Sequence, residues 1–186
     1  MRLKKVSAKF FVDASHFVHG AFLGMIWCFV RMFVRSPSGR KRLNVLGAVD
    51  FATKQLVTVM NTTYITSVTV CELLQLLKVK FPKVPLTLIL DNARYQKCAL
   101  VHATALTLGI ELLYLPAYSP NLNLIERLWK HVKKRCLNGK YYATFDEFKI
   151  AITDCLQKLH SPDHHELDTL LTRNFQLFDK QTFLAA

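Results

Sequence analysis

A chain of 186 residues that is 51% apolar and 11% aromatic, with only 6 Gly and 6 Pro, is long enough to bury one sizeable core, and it excludes disordered, collagen-like and linker-rich classes. Its 25 Lys and Arg against 13 Asp and Glu leave +12, unevenly placed: the first 145 residues hold 21 basic and six acidic side chains, net +15, and the last 41 hold four and seven, net −3. So localised a field points to a polyanion, nucleic acid first, with a solvated basic surface or an anionic-membrane patch as the alternatives.

The longest apolar run, Ala21 to Val30, is ten residues flanked by His19 and Arg31. A membrane span needs about 20. Lys9 and Asp13 interrupt any secretion signal near the N-terminus. Cys28, Cys71, Cys98, Cys136 and Cys155 are odd in number, far apart and free of any C-x-x-C pair, as expected of reduced core thiols in a cytoplasmic protein.

In chain order, Val6 to Val12 is β-branched and aromatic and predicts a first strand that ends at Asp13. The apolar stretch Ala21 to Val34, the turn at Ser36 to Gly39, and Arg42 to Val49 and Gln55 to Met60 around a turn at Asp50 to Lys54 continue an antiparallel meander. Val70, Leu73, Leu74 and Leu77 recur at helical spacing and predict a helix over Ser67 to Lys80. Leu86 to Leu90 is wholly apolar, as a central strand is when both sheet faces are covered, and it terminates at Asp91. A second helix, about Lys97 to Leu108, stops at Gly109, and Ile110 to Leu115 is the next strand. A helix follows from near Asn123, with Ile125, Leu128, Trp129, Val132 and Cys136 as its apolar stripe and basic side chains elsewhere. Thr144 and Glu147 have capping-box spacing for a helix to about Leu159, and Ser161-Pro162 starts a last helical segment reaching toward Phe178. The pattern describes one α/β domain, with a core over residues 1–140 and a helical C-terminal extension of the same domain over 141–186.

The six acidic residues of the basic stretch are Asp13, Asp50, Glu72, Asp91, Glu111 and Glu126. Asp13 and Asp91 each follow an apolar strand. Carboxylates at the ends of neighbouring central strands can converge where their charges repel and a divalent cation is the natural counterion. Glu126, early in a helix packed on that sheet, supplies a third hard oxygen donor, and the set suits one or two Mg²⁺ ions about 4 Å apart for phosphoryl transfer. Against this, strand-terminal aspartates commonly serve turns, and Glu126 lies three residues after Asn123, a capping spacing. Asp50 reads as a hairpin-turn residue, Glu72 as polar-face and Glu111 as strand-opening. His16 and His19 read as loop residues without a metal role, and His164 and His165 as solvent-exposed.

Three blocks then carry a resemblance: Phe11-Val12-Asp13-Ala14-Ser15-His16-Phe17, Leu90-Asp91-Asn92-Ala93-Arg94-Tyr95, and Tyr118-Ser119-Pro120-Asn121-Leu122-Asn123-Leu124-Ile125-Glu126-Arg127-Leu128-Trp129. Together, with 34 residues between Asp91 and Glu126, they resemble the mariner-type DDE transposases, specifically the bacterial insertion-sequence branch, over about residues 6 to 140. The resemblance implies a ribonuclease H-like fold, a mixed sheet with an antiparallel meander followed by parallel strands and flanking helices. It implies two Mg²⁺ (or Mn²⁺) ions held by Asp13, Asp91 and Glu126, with Asn92 and Asn123 in support. Three positions depart from it: Gln96 stands where the family usually has His, Leu124 where it usually has Pro, and Ala14 where an acidic residue often follows the first Asp.

The implied activity is metal-dependent cleavage of DNA at transposon ends and strand transfer into target DNA, with Arg127, Lys130, Lys133 and Lys134 on the Glu126 helix, and Arg40, Lys41 and Arg42, as DNA contacts. Family members carry a helix-turn-helix region ahead of the catalytic domain, so a separate or frameshifted helix-turn-helix segment is expected to recognise the ends. A homodimer on DNA and a nucleoid-associated, cytoplasmic location complete the expectation. The rivals are a non-catalytic DNA-binding or assembly module from a decayed element, and a nuclease that cuts without joining.

Overall fold

The computed structural model describes residues 7–20, 41–116, 122–159 and 165–172. In chain order these form β1 (Ala8–Val18), β2 (Arg42–Asp50), β3 (Leu56–Asn61), α1 (Ser67–Lys80), β4 (Leu86–Leu90), α2 (Ala99–Leu108), β5 (Ile110–Tyr114), α3 (Ile125–Cys136), α4 (Phe145–Lys158) and α5 (His165–Leu170). One five-stranded sheet has the order β3-β2-β1-β4-β5, with β1, β2 and β3 antiparallel and β4 and β5 parallel to β1. Among the described residues no helix is long and apolar enough to cross a membrane.

The strand period of two divides the core. Phe10, Val12, Leu46 and Ala48 face one side with Val70, Leu73, Leu74 and Leu77 of α1 and Val101 and Ala105 of α2. Phe11, Phe17, Val45 and Val49 face the other with Leu128 and Trp129 of α3, Phe148 and Ile152 of α4 and Leu167 of α5. With both faces covered, every residue of β4 is buried, and each fully buried leucine such as Leu88 or Leu90 contributes about 2 kcal/mol. Local chemistry sets the ends. α1 starts at a Thr66/Thr69 capping box, α4 at the Thr144/Glu147 box, and α2 ends at Gly109, whose φ of 66° suits a residue without Cβ.

The end of β1, the place of His16 and the start of α3 differ from the sequence reading. β1 does not end at Asp13, because β2 pairs with it in register from Phe10↔Asp50 through Asp13↔Gly47 to Val18↔Arg42 and holds the chain extended. Asp13 is therefore a mid-strand residue, and His16 lies in the strand rather than in a loop. α3 begins at Ile125, with Leu124 already helical at its N-cap. Of the last helix, His165–Leu170 is described. Ala21 to Val34, the Ser36–Gly39 turn, Arg40, Cys28, His164 and the segment from residue 173 lie outside the described residues, as do the side chain of His165 and residues 118–121 of the third block. Cys71, Cys98, Cys136 and Cys155 are free thiols.

The feature that positions the site is a difference in strand length. β4 pairs with β1 only from Ala8↔Leu86 to Phe11↔Ile89, whereas β2 accompanies β1 to Val18. Among the described residues, β1 beyond Phe11 has a strand on one edge only.

Candidate active site

Asp13 sits just past the point where β4 stops. Its parity in β1 matches Phe11 and Phe17, so it lies on the face covered by α3. The residue opposite it on β2 is Gly47. A Cβ at Gly47 would stand 2.7 Å from Trp129 Cη2 and 3.2 Å from Ile125 Cδ1, so the bare backbone there is the slot that receives the indole. Trp129 also packs edge-on against Phe17, with ring centres 6.4 Å apart. Its Nε1–H has no hydrogen-bond partner, yet it stands close enough to Asp13 to draw that carboxyl's pKa down slightly.

The other two carboxylates approach from separate elements. Asp91 follows the last residue of β4, and its Oδ1 accepts a hydrogen bond from the Ala93 N–H at 2.9 Å, a local turn that fixes the carboxylate at the sheet end. Glu126 is in the first turn of α3. It does not close a cap. Leu124 occupies the N-cap without a side-chain bond, and Asn123 instead donates from Nδ2 to the Val12 carbonyl at 3.1 Å, anchoring the start of α3 to the open edge of β1. Asn123 Oδ1 is buried without a partner.

Electrostatics tie the three together. Burial, opposed by the Ala14 N–H and assisted by the charges of Asp91 and Glu126, pushes the Asp13 carboxyl up to about 7. Burial also raises Glu126, with Lys130 opposing and Asp91 adding to the rise. The phenol of Tyr95 is raised to about 12 by burial and by the charges of Asp91 and Asp13. Asp13 and Glu126 line one pocket of about 280 Å³ with Trp129, Lys130, Lys133 and the Ala14–His16 segment of β1, and the charge of Asp91 acts on both carboxyls. Among the described residues no three His, Cys, Asp or Glu side chains stand close enough to enclose an ion. The donor set is nonetheless one that suits Mg²⁺ or Mn²⁺: hard oxygens that repel one another.

The remaining expected residues divide by task. Lys130 and Lys133 face the pocket; Lys134 is exposed outside it. Arg127 donates from its guanidinium to the Thr172 carbonyl at 3.0 Å and so ties α3 to the segment after α5. Asn92 donates from Nδ2 to the Leu115 carbonyl at 2.6 Å, joining the loop after β4 to the end of β5. Lys41 and Arg42 are exposed and line a different cleft. Asp50 closes its own turn, its Oδ2 accepting from Thr53 N–H at 2.9 Å and Thr53 Oγ1–H at 2.6 Å. Glu72 is exposed, and Glu111 accepts from Thr87 Oγ1–H at 2.6 Å. His19 is buried and donates from Nε2 to the Tyr142 carbonyl at 3.0 Å, a packing role. Sequence reasoning missed Gly47 and the placement of Trp129. The available signal was a glycine inside the apolar run Leu43–Val49, a mark of close approach by another group. It also missed that Gln96 is fully buried with no partner for its side-chain amide.

A search of curated proteins finds no match. Among solved structures, a Mos1 transposase paired-end complex with the left transposon end is similar at a TM-score of 0.66 and 15% identity, over 88% of this chain and 53% of that one. The Mos1 transposase catalytic domain with raltegravir and Mg is similar at 0.56 and 13%, over 92% and 86%. The catalytic core domain of BIV integrase is similar at 0.55 and 16%, over 88% and 96%. The chain thus spans about half the length of the Mos1 transposase in its DNA complex, and these likenesses establish the ribonuclease H-like fold of transposase and integrase cores. The family described as DDE superfamily endonuclease matches residues 10–149, most of the chain and all three sequence blocks, and the chain is a member of that family.

Proposed function

We propose that the chain is the catalytic core of a transposase that cleaves DNA at transposon ends and joins the freed end to target DNA, with Asp13, Asp91 and Glu126 as its metal-binding triad. The observation that carries this reading is the meeting of Asp13 and Glu126, from a strand and a helix far apart in sequence, in one pocket under Lys130 and Lys133, with Asp91 raising the proton affinity of both.

Divalent ions bound there would polarise the scissile phosphate and lower the pKa of the attacking water. Asp13 and Asp91 hold the ions from the sheet, and Glu126 completes the set from α3. Lys130 and Lys133 hold backbone phosphates beside the carboxylates. Trp129, seated on Gly47, keeps bulk water away from Asp13 and fixes the distance between sheet and helix. Cleavage leaves a 3′ hydroxyl that the same pocket presents to a target phosphodiester, so no side-chain nucleophile takes part. End recognition belongs to a helix-turn-helix segment, and pairing of two ends to a homodimer on DNA.

The test is cleavage of a cognate transposon end in Mg²⁺ or Mn²⁺. Glu126→Gln keeps shape and removes charge, so it lowers cleavage about 1000-fold while folding and DNA binding persist. Cleavage at the wild-type rate by Glu126→Gln removes Glu126 from the triad. Metal-dependent nicking that Asp91→Asn abolishes separates this reading from a non-catalytic DNA-binding module, and strand-transfer products separate it from a nuclease that only cuts.

A further inference from the structure

A second cleft, of about 590 Å³, opens at the end of the sheet where β2 begins, lined by Lys41 and Arg42, by Thr62, Thr63 and Tyr64 after β3, and by Phe145 of α4. Its chemistry is that of a nucleic-acid site. Two exposed cations stand beside two hydroxyls, and Tyr64 presents a ring that is 72% exposed. The loop under that ring is fixed. Asn61 Nδ2 donates to the Tyr64 carbonyl at 2.9 Å, and the fully buried Asn44 donates from Nδ2 to Thr63 O at 2.9 Å and Asn61 Oδ1 at 3.0 Å. An aromatic ring held on a pre-ordered loop binds a planar partner with little ordering cost. Among the described residues no carboxylate lines the cleft, and Glu147, near it, folds back onto its own helix start, accepting from Ala143 N–H at 3.0 Å.

The same asparagine links this cleft to the carboxylate pocket. With both Asn44 amide hydrogens engaged, its Oδ1 faces His16 Nδ1 at 2.7 Å, so Nδ1 carries the proton. His16 lines the carboxylate pocket and Thr63 the cleft, so one hydrogen-bonded chain through the buried Asn44 supports the surface between them. Both sites lie at the same end of the sheet, because β1 and β4 are parallel and β3, antiparallel to β2, ends at Asn61 on that side.

We propose that this cleft is a second nucleic-acid site that takes single-stranded DNA, one base stacked on Tyr64 and the flanking phosphates on Lys41 and Arg42, as the strand leads away from the carboxylate pocket. A duplex hides its base faces in its own stack, so an exposed platform favours an unpaired base. The inference rests on the DNA-processing reading above and names the strand that the cutting site must accommodate.

The experiment uses the full chain in chelator, where nothing is cut, so a chain that never cleaves DNA still reports on the cleft. A short single-stranded oligonucleotide carrying 2-aminopurine is titrated in. Stacking quenches its fluorescence with the wild type and with Tyr64→Phe. Tyr64→Ala abolishes the quench and weakens binding about 5- to 100-fold. Lys41→Ala and Arg42→Ala each flatten the salt slope by about 0.7, while Lys80→Ala, at the far end of α1, leaves the quench unchanged. Unaltered quench and affinity in Tyr64→Ala overturn the proposal, as does an equal loss of duplex and single-strand affinity.

Discussion

The two ends of the sheet handle carboxylates in opposite ways. Where β2 turns into β3, Asp50 is 3% exposed and takes two hydrogen bonds from Thr53, three residues on. The turn makes its own partner. Where β1 outruns β4, Asp13 is half-buried within reach of the charges of Asp91 and Glu126, and Asn123 Oδ1 at the start of α3 has no partner. The comparison teaches that a carboxylate held by its own turn serves the fold, even with Asp50 Oδ1 left without a partner, whereas a carboxylate set among like charges at the junction of several elements is kept there at an electrostatic cost.

The largest expected effect comes from removing the charge at the open end. The folded-state pKa of Asp13 is raised from 3.8 to about 7. The native state therefore binds the extra proton between those values, and metal-free stability falls as pH rises through that window, by roughly 4 kcal/mol at most. Asp13→Asn removes the loss, so thermal melts in chelator should show the variant more stable than wild type at pH 8 and little different at pH 4. Mn²⁺ should raise the wild-type melting temperature and leave that of Asp13→Asn unmoved. A variant less stable than wild type at pH 8 would make Asp13 a structural residue like Asp50.

Gly47→Ala tests whether the open end is held in place from the other strand. The added methyl meets the Trp129 ring and Ile125, and the clash should cost about 1–3 kcal/mol in denaturant unfolding while lowering cleavage beyond the loss of folded protein. Wild-type stability and activity would show that α3 yields freely. At the closed end, Asp50→Ala should cost roughly 2 kcal/mol through the lost Thr53 bonds and leave the Mn²⁺-induced rise in melting temperature intact. The smallest effect belongs to the basic helix face. Lys130→Ala and Lys133→Ala, at the pocket, should each reduce the duplex salt slope by about 0.9, and measured affinities that ignore both changes make these lysines mere solvated charge.

Elements whose signals are local are legible in the sequence. Helix α1 runs from Ser67 to Lys80 and β4 from Leu86 to Leu90, as periodicity and the apolar run require, and the Thr144/Glu147 box and Gly109 mark their helix ends. The sequence blocks also named Asp13 and Glu126, which line one pocket, and Asp91, whose charge reaches both. The extent of β1 was not legible. Asp13-Ala14-Ser15-His16 carries little strand preference of its own, and pairing with β2 keeps it extended. Nor could spacing alone separate a capping Glu126 from a site residue, since that turned on Asn123 reaching across to Val12.

By itself, then, the amino-acid order determined the alternation of strands and helices, the concentration of positive charge and the identity of the acidic residues, because propensity, periodicity and composition act over a few neighbours. Only the tertiary structure decided that β4 stops level with Phe11 while β1 continues to Val18, that Trp129 fills the space above Gly47, and that Arg127 and Asn92 bind carbonyls rather than face the pocket. Each of these depends on the register and packing of segments tens of residues apart, where the burial of one side chain is set by the shape of another.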